Sequence, residues 1–259
     1  MNEGVPVFTS PSPRVRHVPV DRAWTWLAAG WNDLMRAPQV SLAYGAALVV
    51  VSFAVSLGLW LVDMFYLILP LAAGFMFVAP LLAVGLYETS RRLDKGEPVS
   101  LGHAVAAAVH HPHSPEIAYM GLLLMLFNLA WVRLATLLYA LFFNQVNPTL
   151  ESLIESLLFS ETSLIFLIVG TLVGAALALV VFAIGAVSIP MLLDRDVHIF
   201  TAMATSYVAV RANWRPMALW AGLIVVFTAF GVAPFYLGLA VALPLVGHAS
   251  WHAYTDLVE

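Results

Sequence analysis

The chain has 259 residues, 62% of them hydrophobic and 10% charged, with a net charge of -4 and no cysteine. Soluble domains carry nearer a quarter charged residues, so this composition excludes an ordinary soluble globular protein. The missing cysteines exclude disulfides, thiolate metal sites and thiol chemistry, and cations scattered along the chain argue against a nucleic-acid partner.

The opening "MNEGVPVFTSPSPRVRHVPV" is polar and Pro-rich, without the apolar run of a signal peptide. It reads as a flexible tail over residues 1–18, ahead of a single integral membrane domain over 19–259. "VDRAWTWLAAGWNDLMRAPQVSLAYG" follows, from Val20 to Gly45. Trp24, Leu27, Trp31 and Leu34 recur there at three- and four-residue spacing, an apolar stripe suited to a membrane interface. Two apolar blocks at about 39–61 and 63–88 are each long enough to cross a bilayer.

The pattern then recurs. "VSLGHAVAAAVHHPHSPEIAYMG" (Val99–Gly121) leads into spans at about 118–143 and 163–190, and "VHIFTAMATSYVAVRANWRPMALWAG" (Val197–Gly222) leads into spans at about 216–235 and 236–256. The last two spans are short and break near Gly231 and Pro234; one bent helix plus a re-entrant segment is the alternative. Between spans three and four, "NPTLESLIESLLFS" is amphipathic, with Asn147 placed as N-cap and Pro148 at the first helical position. The expected fold is all-α: a polytopic membrane protein with six transmembrane helices, built as three repeats of a cytoplasmic interfacial helix plus a transmembrane hairpin.

Charge sets the expected orientation. Arg14, Arg16, Arg22 and Arg36 precede the first span; Arg91, Arg92 and Lys95 follow the second; Arg195, Arg211 and Arg215 lie between the fourth and fifth. The opposite loops carry Asp63, Glu151, Glu155 and Glu161. The positive-inside rule places both termini in the cytoplasm, with the protein multi-pass in a bacterial inner membrane.

Few residues suggest chemistry. His248 and His252 share one helix face beside Trp251 and Tyr254 at the end of the chain. They read as a helix-end anchor or contact surface, because imidazoles suit a helix C-terminus and the aromatics suit an interfacial belt. A ligand pair is the competing reading, although no histidine is placed at the bilayer depth a buried haem requires. His110, His111 and His113 in "HHPH" are candidate metal ligands without a cysteine or acid among them, and a solvated loop is the plainer reading. Arg133 falls near the middle of the third span, where a charge costs at least ~2.5–3.5 kcal/mol. It should face protein or a water-filled path, with Asp63, Glu151 or Glu161 as partners. Gly170 and Gly174 form a GxxxG packing motif. No catalytic motif or paired carboxylate at membrane depth appears, so no catalytic residue, metal or cofactor is assigned.

Three stretches, "GLYETSRRLDKGE" (85–97), "PMLLDRDV" (190–197) and "LGLAVALPLVGHASWHAY" (237–254), resemble a family of proteobacterial six-helix integral membrane proteins of unknown function, often labelled automatically as cytochrome c oxidase subunit I. The resemblance implies as recurring residues Gly85, Tyr87, Glu88, Arg91, Asp194, Arg195, Gly247, His248, Trp251 and His252. The oxidase label does not suit the residues: oxidase catalytic subunits resemble twelve-helix proteins with six histidines buried in their spans, and no buried histidine is expected here. The expected role is a non-catalytic accessory, assembly or scaffold component of a membrane complex, with the lipid bilayer and other membrane subunits as partners. A small transporter or channel with Arg133 lining the path is the alternative.

Overall fold

The computed structural model describes residues 13–110, 114–144 and 148–259 and, for Val109, His110 and Ser114, the backbone alone. Among these the chain forms helices α1 (Arg22–Arg36), α2 (Pro38–Leu61), α3 (Ile68–Leu82), α4 (Val84–Lys95), α5 (Leu101–His110) and α6 (Ser114–Phe143). Helices α7 (Leu150–Leu158), α8 (Ser163–Gly185), α9 (Ser188–Asp194), α10 (Ile199–Ala212), α11 (Trp214–Val232) and α12 (Leu239–Leu257) complete the set.

Local chemistry explains many of the boundaries. Pro38 opens α2, where its missing N–H goes unneeded. Gly96, at φ 68°, ends α4 in the left-handed conformation that glycine adopts without strain. Pro80 lies inside α3 just before the break at Ala83, so α3 and α4 form one long rod with a bend. The N-cap of α7 is Thr149, whose hydroxyl accepts from the Ser152 N–H. This corrects the expected cap: Asn147 lies outside the described residues, and the extended backbone at Thr149 puts the turn two residues later.

Among the described residues, five helical stretches are long and apolar enough to cross a membrane: Pro38–Leu61, Phe65–Lys95, Pro115–Phe143, Ser163–Asp194 and Trp214–Val232. Their outer faces carry exposed Val50, Phe53, Leu126, Leu164, Leu172 and Phe230. A continuous apolar exterior of this kind belongs in hydrocarbon. The chain is an all-α polytopic membrane protein.

Three times a helix of 10–15 residues precedes a pair of long helical segments. The three units interlock cyclically, because each short helix packs on the second long segment of the preceding unit. Thus α5 lies on α4, α10 lies on α8 and α9, and α1 closes the ring on α12. The ends of those second segments, α4, α9 and α12, meet at the centre.

Helix α12 is the hub, packing against α1, α2, α4, α9 and α11. Contact with α1 and α2 is backbone to backbone. A Cβ on Gly30 would lie 2.6 Å from the Ala249 nitrogen, and one on Gly45 would lie 2.3 Å from the Ala240 oxygen. At both places only glycine fits.

Of the tail expected over 1–18, residues 13–18 are instead held in place. Val15 pairs antiparallel with Val258, the Arg16 N–H donates to the Leu257 carbonyl at 2.9 Å, and the Glu259 N–H donates to the Arg14 carbonyl at 2.9 Å. Asn213 completes the clamp, accepting from the Val18 N–H and donating to the Arg16 carbonyl. An extended segment with free backbone donors finds its partners in the extended end of the chain. Both ends of the described chain therefore lie on the same side of the molecule.

Candidate functional site: the polar staples of α12

Polar residues at the termini-bearing end concentrate on α12. His248 is fully buried between two hydroxyls: its Nε2 lies 2.9 Å from Ser41 Oγ of α2, and its Nδ1 lies 2.8 Å from Ser90 Oγ of α4. Ser90 also lies close to Asp33 of α1. Asp33 in turn lies 2.8 Å from His252 Nε2 and 3.6 Å from the Arg36 guanidinium. Two adjacent hydrogen-bonded groups, Ser41–His248–Ser90 and Asp33–His252, thus tie α1, α2 and α4 to α12. Burial pushes the Asp33 carboxyl up, but the hydrogen bond from His252, the nearby Ser90 hydroxyl and the imidazoles outweigh it and hold the group below its ordinary value.

The remaining polar groups of α12 reach other helices. The Trp251 Nε1–H donates to Asp94 at 2.8 Å. The Tyr254 hydroxyl donates to Asp194 at 3.0 Å and accepts from Arg195 Nε at 2.8 Å. Arg195 also donates to the Val258 and Glu259 carbonyls. Asp256 accepts a bidentate pair from Arg22, both at 2.7 Å, and the Trp26 Nε1–H at 2.9 Å. Glu88 on α4 is 3% exposed and is gripped by Arg91, at 2.7 and 3.1 Å, and by Arg92, at 2.7 Å. Charge-assisted, bidentate bonds of this kind are the strong class.

The singled-out residues divide by location. His248, Trp251, His252, Tyr254, Asp194 and Arg195 come together around α12. Glu88 and Arg91 sit one helix away. Tyr87 is buried in the same core, and a Cβ on Gly85 would lie 2.8 Å from the Ala104 oxygen of α5, so that glycine permits the α4–α5 contact. Gly247 faces Leu86. Arg133 lies apart, exposed on α6, and among the described residues it makes no ion pair with Asp63, Glu151 or Glu161. A Cβ on Gly174 would meet the Trp131 ring at 3.0 Å, whereas Gly170 faces open space. His111 and His113, with the side chain of His110, lie outside the described residues. Among the described residues, no group of three His, Asp or Glu side chains could hold a metal.

Two points depart from the sequence reading. No buried histidine is expected, yet His248 is wholly enclosed, because it packs between Ser41 of α2 and Ser90 of α4. Asp33, Ser41, Ser90, Asp94 and Asp256 are absent from the sequence-derived set. One signal was present: Trp26, Gly30 and Asp33 fall on one face of α1, and an acid sharing a face with glycine and tryptophan marks a buried partner. Trp24 and Trp31 occupy the opposite, exposed face.

The Ser41–His248–Ser90–Asp33 sequence has the residue types of a nucleophile, base and orienting acid. Ser41 and His248 are nevertheless 0% exposed, and neither lines any of the cavities between the helices described below. A nucleophile needs room for a substrate beside it. The arrangement therefore acts as a set of staples.

These features define the class: a polytopic integral membrane protein whose helices are cross-linked by polar side chains at one end. Residues 68–194, from α3 to α9, match the family described as "Predicted integral membrane protein (DUF2189)". The resemblance to an integral membrane protein family of unknown function holds over that stretch, while "LGLAVALPLVGHASWHAY" falls beyond it. No curated protein matches the chain, and no solved structure does.

Proposed function

We propose that this protein is a non-catalytic accessory, assembly or scaffold component of a membrane complex. The observation that carries this reading is the saturation of the polar residues of α12: His248, Trp251, His252, Tyr254 and Asp256 all bind other parts of the same chain. Groups spent in this way hold a shape and leave none free for a substrate. The exposed Trp24, Trp31 and Met35 on α1, and Phe200 and Tyr207 on α10, offer lateral surfaces to neighbouring subunits. Purification from native membranes in mild detergent, followed by mass spectrometry, should recover stoichiometric partner subunits; recovery as a lone species would count against the role.

The paired ends of the chain bear on its topology. Termini on one side require an even number of crossings, and α12 supplies a sixth beside the five apolar stretches. Its low apolarity suits a helix surrounded by protein, not lipid. We place both termini in the cytoplasm of a bacterial cell, in the inner membrane, because Arg14, Arg16, Arg22, Arg36, Arg91, Arg92, Lys95 and Arg195 all fall at that end.

One observation favours the second reading, a small transporter or channel. Asn128 Oδ1 is buried without a hydrogen-bond partner, in the wall of a cavity of about 210 Å³ that also carries Ser52 and Ser56. Arg133 lines neither this cavity nor the larger one beside it. Proteoliposomes that pass no ions or small anions would remove the transporter reading.

A further inference from the structure

A large apolar space between the spanning helices lies at the end remote from the termini. Helices α3, α6 and α8 pack tightly near the termini, where Met120, Leu124 and Val181 are buried. Toward the other end they diverge and enclose a cavity of about 520 Å³. Trp131, Ala135, Phe166, Gly170 and Gly174 line its walls, and Leu157 of α7 forms part of its roof.

Three of its polar side chains are already committed. The Trp131 Nε1–H donates to the Pro70 carbonyl at 2.8 Å, the Tyr139 hydroxyl donates to Ser156 at 3.1 Å, and the Thr136 hydroxyl bonds carbonyls of its own helix. A polar ligand would find little to bind, whereas an apolar one loses nothing by entering. Size narrows the choice further. At roughly 30 Å³ per small group in a liquid, the space holds on the order of 17 non-hydrogen atoms. That is one acyl chain, and far less than a helix about 10–12 Å across.

The glycines point the same way. Gly170 contacts nothing within 4 Å of where its Cβ would be, although it sits in a motif that elsewhere draws helices together. Its missing side chain leaves the space open.

We propose that this cavity binds one acyl chain of a membrane phospholipid from the leaflet remote from the termini, with α7 closing over it. The site depends only on the membrane-spanning character of α3, α6 and α8, and is independent of the accessory role.

The test uses the full-length protein in phosphatidylethanolamine–phosphatidylglycerol liposomes containing a phospholipid with a photoreactive acyl chain. Saturable cross-links should concentrate on the cavity walls, at Ala135 and Phe166 in particular. Gly170→Leu should fill the space and reduce them at least fivefold, while Gly58→Leu, at another open glycine on α2, a helix that does not line the cavity, should leave them unchanged. Ala175→Leu fills the same cavity and replaces Gly170→Leu if that variant does not fold. Uniform labelling of the outer helix faces would overturn the proposal, as would labelling unchanged in a folded, cavity-filled variant. Displacement by an unlabelled isoprenoid but not by unlabelled phospholipid would also overturn it.

Discussion

The two ends of this molecule are held together by different means. At the termini-bearing end, α1, α2, α4 and α12 touch backbone to backbone at Gly30 and Gly45 and are cross-linked through Asp33, Ser90, Asp94, Asp194 and Asp256. At the other end, α3, α6 and α8 present mainly apolar side chains, stand far enough apart to leave a cavity, and are bridged by aromatic contacts such as Tyr139–Phe166. The contrast follows from solvent. Near water a charge can be half-buried and paired, so polar staples can specify helix positions. In hydrocarbon no hydrophobic force drives one apolar helix onto another, and close fit with a few interhelical hydrogen bonds does so instead. One end is therefore specified mainly by directional bonds, and the other mainly by shape, with Trp131–Pro70 and Tyr139–Ser156 as its polar links.

Substitutions should expose this asymmetry. Trp26→Ala would have the largest effect, about 3–5 kcal/mol. Trp26 is buried, stands edge-on to Trp220 at 5.9 Å and donates to Asp256. Thermal unfolding in detergent should show it; a loss below about 1 kcal/mol would mean that α1 is not part of the cooperative core. Glu88→Ala should follow at about 3 kcal/mol, since it strands two partly buried guanidiniums. Glu88→Gln, which keeps the volume, should recover only part of that loss.

Acid should weaken the stapled end. The Asp33 carboxyl is held below its ordinary value, so its contribution is fully present above the unfolded value of about 3.9 and is lost as pH falls through the folded one. The gap in Tm between the native chain and Asp33→Asn should persist at pH 5 and narrow below about pH 4. A gap that widened in acid would reverse the assigned direction. The smallest effect is expected from Leu167→Ala on α8, within about 0.5 kcal/mol, because this half-exposed side chain faces apolar surroundings on either side of the change. A cost approaching that of Trp26→Ala would erase the distinction between the two ends.

Much of the architecture was legible in the residues. Blocks of some 20 apolar residues announce spanning helices because an unpaired backbone cannot exist in lipid. The recurrence of a short helix before each pair of spans was visible in the segments opening at Val20, Val99 and Val197. The candidate site was half legible: "GHASWHAY" drew attention to His248, Trp251, His252 and Tyr254, but their partners lie as far as 219 positions away, as with Asp33 and His252. No local pattern connects such residues. Arg133 shows the opposite failure, since its depth along the span was readable and the face it presents was not.

The sequence by itself determined that the protein spans a membrane, that its cations gather toward one side, and that three similar units build it, because hydropathy, charge and periodicity are local properties. Only the tertiary structure decided that α12 is the hub, that His248 is sealed between Ser41 and Ser90, and that Gly30 and Gly45 carry the close contacts while Gly170 opens onto a cavity. Those outcomes depend on which helix faces meet. In a chain apolar on nearly every face, that choice is made by the fit of all the helices together.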